Sequence, residues 1–211
     1  MMLASKRVPY LKPLPTVERQ AETNIRTELG TFRFYGFVDQ EGREHMAVVK
    51  GDVRGADVLC RLHSECMTSE VFHSRRCECG PQLDLALKRI ERAGRGVVVY
   101  LRQEGRGIGL INKLKAYALQ NEGVDTLDAN LALGFPGDLR RYDVAADMLR
   151  DLGVESVVLM SNNPDKQEQL KKFGIPVARR VPHVTGVNED NREYMRTKSS
   201  RMGHIYPLAL D

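Results

Sequence analysis

From residue 81 onward the chain switches repeatedly between helical and strand patterning, and that alternation limits the folds open to it. PQLDLALKRIERAG (81–94) sets Leu83, Leu85, Leu87 and Ile90 in a segment that opens with Pro and closes with Gly, which predicts a helix. GVVVYLR (96–102) reads as a buried strand, and INKLKAYALQNEG (111–123) as another helix with a Gly stop. YDVAADMLRDLG (142–153), SVVLMS (156–161), PDKQEQLKKFG (164–174) and PVARRV (176–181) repeat the order helix, strand, helix, strand. Such alternation predicts an α/β layered fold with a partly parallel sheet. Before residue 64 the pattern differs: TFRFYGFVD (31–39), HMAVVKG (45–51) and DVLCRLH (57–63) are short β-rich runs broken by Gly and Asp, which predicts early antiparallel strands. The expectation is a single α/β domain over 28–211, a mixed sheet flanked by helices. A polar, proline-bearing arm over 1–27 precedes it, extended or partly mobile.

Composition narrows the function. The chain has 211 residues, 42% of them apolar and 28% charged, enough for a sizeable core. There is no Trp and only 6% of residues are aromatic, so a large aromatic ligand platform is not expected. MMLASKRVPYLKPLP lacks the apolar core of a signal peptide, and no stretch approaches the roughly 20 apolar residues of a membrane span. A cytoplasmic protein with reduced thiols is expected, in which clustered cysteines serve a metal or a catalytic site. Net charge is +4, from 32 Lys plus Arg against 28 Asp plus Glu. That is too weak for a nucleic-acid partner and suits a small polyanion.

HSECMTSEVFHSRRCECG (63–80) carries Cys66, Cys77 and Cys79, three of the four cysteines. Thiolates are strong zinc ligands, and a structural zinc site takes four protein ligands. The fourth candidates nearby are Cys60, His63 and His73, and Cys60 in its apolar strand is expected simply to be buried. One reading is therefore structural zinc with a histidine. The other keeps three thiolates and leaves a position for water, whose pKa then falls towards about 7. His63-Ser64-Glu65 also has the H-x-E spacing of zinc nucleobase deaminases, but their P-C-x-x-C is absent and Cys77-Glu78-Cys79 stands instead.

QEGRGIGLINK (103–113) follows the buried strand and runs into a helix. Glycines at 105, 107 and 109 allow backbone N–H groups to approach an anion, and Arg106 adds a bidentate fork for phosphate. Such a turn is equally compatible with a mere tight connection; Arg61 on a neighbouring strand and a zinc site favour a phosphorylated substrate. Glu104 offers a carboxylate suited to a guanine N1–H and amino edge. Tyr117 shares helical spacing with Leu110 and Leu114 and reads from the pattern as a core residue. In GFPGDLRRYD (134–143), Asp138 and Arg140 read as a charged surface turn. SNNPDK (161–166) ends a strand and opens a helix: either Asn and Pro cap that helix, or Ser161 and Lys166 meet a ligand at the sheet's C-terminal edge.

Taken together, RLHSECMTSEVF, RRCECGPQL, LRQEGRGIGLINKLKAYALQ, GFPGDLRRYD and SNNPDK resemble GTP cyclohydrolase II, in that order, from about residue 28 to the MGH at 202–204. The resemblance implies a homodimer that uses zinc and Mg²⁺ to convert GTP to formate, pyrophosphate and 2,5-diamino-6-ribosylamino-4(3H)-pyrimidinone 5′-phosphate, opening riboflavin biosynthesis. It implies Cys66, Cys77 and Cys79 as zinc ligands. It assigns Arg61, Leu62, His63, Ser64, Glu65, Gln82, Glu104, Gly105, Arg106, Thr126, Ser161 and Lys166 to GTP. Asp138 matches the family's proton acceptor, Arg140 its nucleophile towards the α-phosphate, and Tyr117 the tyrosine of ring hydrolysis, against the core reading. A protonated guanidinium is, on physical grounds, better suited to clamping phosphate than to attacking it. CEC stands where many relatives have CDC, and Ser161 where Thr is common. Many relatives are fused to a dihydroxybutanone-phosphate synthase domain; the short segment ahead of residue 28 makes a single-function chain the expectation. The nearest alternatives are a paralogue that opens the ring but keeps the formyl group, and a zinc-stabilised nucleic-acid module resting on Arg75 and Arg76.

Overall fold

A computed structural model of the chain describes residues 15–206. Its centre is one seven-stranded sheet with the order β1-β2-β3-β5-β4-β6-β7. The strands are β1 (Val17–Thr27), β2 (Gly30–Asp39), β3 (Glu44–Lys50), β4 (Val58–Ser64), β5 (Gly96–Leu101), β6 (Val157–Met160) and β7 (Val177–Val181). β1, β2, β3 and β5 are antiparallel neighbours, and β5, β4, β6 and β7 are parallel ones. The helices are α1 (Met67–Glu70), α2 (Cys79–Ala93), α3 (Gly109–Asn121), α4 (Thr126–Ala132), α5 (Asp143–Asp151), α6 (Pro164–Lys172) and α7 (Arg192–Arg201). The expected α/β fold with a mixed sheet and early antiparallel strands is the fold observed.

The arm expected over 1–27 requires correction in its described part. Residues 17–27 are extended, but they form an edge strand hydrogen-bonded along β2, with Val17 opposite Asp39 and Thr27 opposite Gly30. The reason it escaped notice is physical. VERQAETNIRT is exposed along nearly its whole length, so it shows none of the apolar alternation that marks a half-buried strand. Polar edge strands of this kind discourage pairing with other chains. Residues 1–14 of that expected arm lie outside the described residues.

Two cores sandwich the sheet. Val97 and Val99 of β5 face the larger one with Tyr35, Phe37, Cys60, Leu62, and Val144, Met148 and Leu149 of α5. Val98 faces the other, with Phe32, Val48, and Ala86 and Ile90 of α2. Because β5 is covered on both faces, it reads as an unbroken apolar run and not as an alternating one. Helix α2 stops at Gly94, whose φ of 69° sends the chain directly into β5, while its N–H reaches the Ile90 and Glu91 carbonyls. The sheet thereby places the C-terminal ends of β4, β5 and β6 side by side. The chain moves from β4 to β5 on one side and then to β6 on the other, which is where α/β sheets open a crevice.

Leu149 on α5 is fully buried in the larger core. Leu149→Ala should cost about 2–5 kcal/mol of unfolding free energy. Urea denaturation checks this through a lower midpoint at unchanged slope; a loss below about 1 kcal/mol would contradict the assignment of α5 as a core helix.

Candidate active site and metal centre

Three segments that leave the sheet's C-terminal edge, together with the α1–α2 connection, surround a cavity of about 840 Å³. The segment after β4 carries Glu65 and Cys66, the α1–α2 connection carries Cys77, and Cys79 is the first residue of α2. The turn after β5 carries Glu104 to Ile108, and the segment after β6 carries Ser161 to Lys166. Arg140 and Tyr117 also line the same cavity.

The ligand atoms of Cys66, Cys77 and Cys79 all lie within 4.8 Å of one another, with Cys66 Sγ 3.6 Å from Cys77 Sγ. None of the expected fourth ligands joins them. Cys60 is buried in the larger core, where burial pushes its thiol up to about 12. His63 is hydrogen-bonded to Glu70 at 2.7 Å, and His73 is exposed. Hydrogen bonding from the Cys77 and Cys79 thiols, aided by the Lys113 ammonium 3.1 Å away, holds the Cys66 thiol well below its ordinary value. Three converging sulfurs, one already favouring the thiolate, fit a soft-ligand zinc site with three protein donors. Among the described residues this is the one group of three or more metal-ligating side chains found.

The Gly-rich turn is held in a conformation that costs energy. Gly105, Arg106 and Gly107 have successive positive φ values of 62°, 60° and 93°. Arg106 has a Cβ, and such a left-handed non-glycine residue persists only where its surroundings fix it. Here the Arg106 carbonyl accepts from the Leu139 N–H at 3.0 Å. A Cβ on Gly107 would lie 3.0–3.2 Å from Leu139 atoms, so glycine permits this approach. The contact anchors the 134–141 loop beside the turn and brings Arg140, paired with Asp138, to the cavity wall. α3 then begins at Gly109 with no side-chain cap, which leaves its first N–H groups unclaimed by side chains.

Cations outnumber carboxylates along the cavity wall, and Arg61 and Lys166 are buried there. Arg61 donates to the Met160 carbonyl at 3.0 Å and to Gln82 Oε1 at 2.6 Å, and Lys166 donates to the Leu62 carbonyl at 2.8 Å. Burial, reinforced by Arg61 and Arg140, pushes the Lys166 ammonium well below its usual pKa. Burial opposes the charge on Arg140 too, yet Tyr142 and its bidentate pairing with Asp138 raise its pKa. Asp138 moves the opposite way: burial raises it, but the Arg140 guanidinium more than offsets this and holds it low. Buried Arg61 Nε, His63 Nδ1 and Ser64 Oγ have no partner among the described residues. Each would gain from a polar ligand group, since an unmade buried hydrogen bond costs about 1–3 kcal/mol.

The structure revises several sequence expectations. Tyr117 is half-buried in the cavity wall, and Leu114 is exposed; α3 turns Lys113 and Ala116 inward instead. The apolar stripe therefore misread the helix face. Leu62, assigned to GTP, has its side chain in the larger core and offers only its backbone to the site. Glu104 already accepts from the Met67 N–H, the Gly105 N–H and the Lys113 ammonium at 2.7–2.8 Å. That occupies three of a carboxylate's roughly four acceptor positions. Asp138 and Arg140 form a paired unit on a turn in which Asp138 is exposed and Arg140 is part-buried against the cavity. Asn163 caps α6, with Pro164 in its first turn, and Ser161 and Lys166 line the cavity. Gln82, Gly105, Arg106 and Thr126 also border it.

Other residues at the site went unnoticed in the sequence. Lys113 joins Cys66 to Glu104, and Glu70 gathers His63, the Cys66 N–H and the Tyr100 hydroxyl. No local pattern marks such partners, which come together only through the tertiary fold. Arg75 is paired with Asp190 at 2.9 Å, and Arg76 lies over the Tyr117 ring at 5.1 Å and bonds Asn121. Both arginines behind the nucleic-acid reading are thus engaged at the cavity. Among the described residues no helix is long and apolar enough to cross a membrane.

The GTP cyclohydrolase II family profile matches residues 18–182. The chain is 52% identical over 191 residues to a GTP cyclohydrolase-2 of Haemophilus influenzae (strain PittGG), covering 89% of this chain and 88% of that one. It is 52% identical over 209 residues to the riboflavin biosynthesis protein RibBA of Bacillus subtilis (strain 168), covering 97% of this chain and 52% of that protein. The chain spans about half the length of the RibBA relatives it matches. The profile runs from within β1 to just past β7 and takes in the three thiols, the Gly-rich turn and Lys166, and on that match the chain belongs to the GTP cyclohydrolase II family.

Proposed function

We propose that the chain hydrolyses GTP to formate, pyrophosphate and 2,5-diamino-6-ribosylamino-4(3H)-pyrimidinone 5′-phosphate, the opening reaction of riboflavin biosynthesis. The observation that carries this reading is one cavity shared by a three-thiol cluster, by the buried Arg61 and Lys166 and by the part-buried Arg140. A purine nucleoside triphosphate has a matching division, an electrophilic C8 at one end and a polyanion at the other.

Cys66, Cys77 and Cys79 would hold zinc, which supplies a Lewis acid and lowers the pKa of water at its open position. The residues around it orient the base and manage protons. Glu65 lies beside Cys66 and pairs with Arg102 at 2.9 Å; burial raises its carboxyl pKa, as suits a proton carrier. Burial likewise raises the Tyr117 phenol, so at neutral pH it remains a hydrogen-bond donor close to the thiols. That donor is suited to a ring nitrogen that departs as C8 is lost. Arg61, Ser64, Gln82, Thr126, Ser161 and Lys166 surround the remaining polar groups of the nucleotide, and Mg²⁺ would accompany its triphosphate. Exposed Phe72, Val71 and Ile111 offer apolar surface for the homodimer that the family reading implies.

For pyrophosphate release, Asp138 and Arg140 act as an oriented charge pair. Their pKa values are driven apart, so passing a proton from Arg140 to Asp138 runs uphill, and Arg140 serves as a phosphate clamp. Arg140→Lys should keep a measurable fraction of pyrophosphate release, about 1–10%, while Arg140→Met should lose at least tenfold more. A phosphorylated adduct on Arg140, caught by mass spectrometry of quenched enzyme, would contradict the clamp.

The whole reading is tested by incubating zinc-loaded protein with GTP and Mg²⁺ and identifying every product by mass. Formate, pyrophosphate and the diaminopyrimidine phosphate are expected together, and Cys77→Ser should bind no zinc and release no formate. A product that retains the formyl group would assign the chain to ring opening alone; no turnover of GTP would overturn the proposal.

A further inference from the structure

The family match ends at residue 182, yet the cavity is closed on one side by residues beyond it: Tyr194, Thr197, Lys198, Met202, His204 and Tyr206. Helix α7, REYMRTKSSR, has little apolar reason to dock there, since Met195 is its one large apolar side chain that is fully buried. Polar ties hold the segment instead, and they run to the loops that build the site. Asp190 pairs with Arg75 at 2.9 Å, Arg201 with Asp125 at 2.8 Å, and Tyr194 accepts from Arg106 at 3.3 Å. The Ile205 N–H donates to the Asn162 carbonyl at 2.8 Å.

The most deeply placed tie is Lys198 to Glu78. Glu78 stands between Cys77 and Cys79 and is 1% exposed. Its Oε1 accepts from the Lys198 ammonium and from Gln82 Nε2, and its Oε2 has no partner among the described residues. Lys198 also lies 4.5 Å from the centroid of the Tyr194 ring, so its charge is held from two sides. A buried carboxylate that loses its hydrogen-bonded counter-charge is strongly destabilised, more so than a site that has lost both charges. The backbone that would have to move to relieve Glu78 is the backbone that carries two of the three sulfurs.

We infer that Lys198 is a positioning residue that fixes the Cys77–Glu78–Cys79 segment, and that the 188–206 strap is thereby a structural part of the metal centre. The inference rests on the reading of the three thiols as a zinc site. It gives the strap a definite role: docking of α7 and convergence of the sulfurs become one event, because the same ion pair serves both. Lys198 acts through Glu78, without touching the reacting atoms.

Zinc retention by competition with a chromophoric chelator tests this in the full chain, with far-UV circular dichroism of each variant to confirm folding. Lys198→Met should weaken zinc retention about tenfold to hundredfold, the scale seen when a supporting partner of a metal ligand is removed. Lys198→Arg should recover most of it, and the Glu78→Gln/Lys198→Met pair should lose less than Lys198→Met alone. Arg196→Ala, exposed on the same helix, should match the wild type. Wild-type protein that binds no zinc would overturn the metal reading itself. Wild type that binds zinc, with Lys198→Met unchanged or the double variant no better than the single one, would overturn the role of Lys198 and leave the metal reading intact.

Discussion

β4 is flanked by parallel neighbours on both sides, β5 and β6, and most of what the molecule can do depends on that placement. A strand in this position is buried on both faces, so its residues must be apolar or internally satisfied. Cys60 and Leu62 meet that demand inside the larger core. Arg61 and His63, the alternate residues, meet it in part, by hydrogen bonds to Met160, Gln82 and Glu70, with Arg61 Nε and His63 Nδ1 left without a partner among the described residues. The strand therefore delivers a cation and an imidazole to the cavity floor with little freedom to move, and it ends two residues before the first clustered thiol. The turns after β5 and β6 open into the same space because their strands are its direct neighbours.

The second constraint is electrostatic. Arg61, Arg140 and Lys166 are buried close enough to depress or oppose one another's charge. Concentrating like charges away from water is unfavourable, and only Arg140 has a carboxylate pressed against it, from Asp138. A folded protein keeps such an arrangement when a ligand repays it, and a polyanion does so most directly. The strained backbone at Arg106 borders the same cavity and is fixed by Leu139.

How much of this could be read from the sequence differs with the kind of signal. The buried β5 and β6, the amphipathic α2 and its Gly94 stop were legible because each depends on local periodicity or a single glycine. The exposed β1 was not, since its stability comes from pairing with β2 and leaves no apolar pattern. Tyr117 was misplaced by its own spacing, because α3 buries Lys113 and Ala116 against the site, not its leucines. The spacing of the three cysteines pointed to a cluster, and the fold brings their sulfurs together. That Cys60 is buried elsewhere, His63 is bonded to Glu70 and His73 is exposed could not be read from spacing, since each depends on the tertiary fold. The supporting residues Lys113, Glu70 and Lys198 are distant in sequence from the groups they serve, so no motif contains them.

The central claim is that three thiolates hold zinc and leave a fourth position free on the nucleotide cavity. Zinc K-edge X-ray absorption on the resting, zinc-loaded protein tests this most directly. The account predicts three sulfur neighbours at about 2.3 Å and one oxygen neighbour at about 2.0–2.2 Å. A fourth sulfur, or the multiple-scattering signature of an imidazole, would mean a closed structural site and would contradict it.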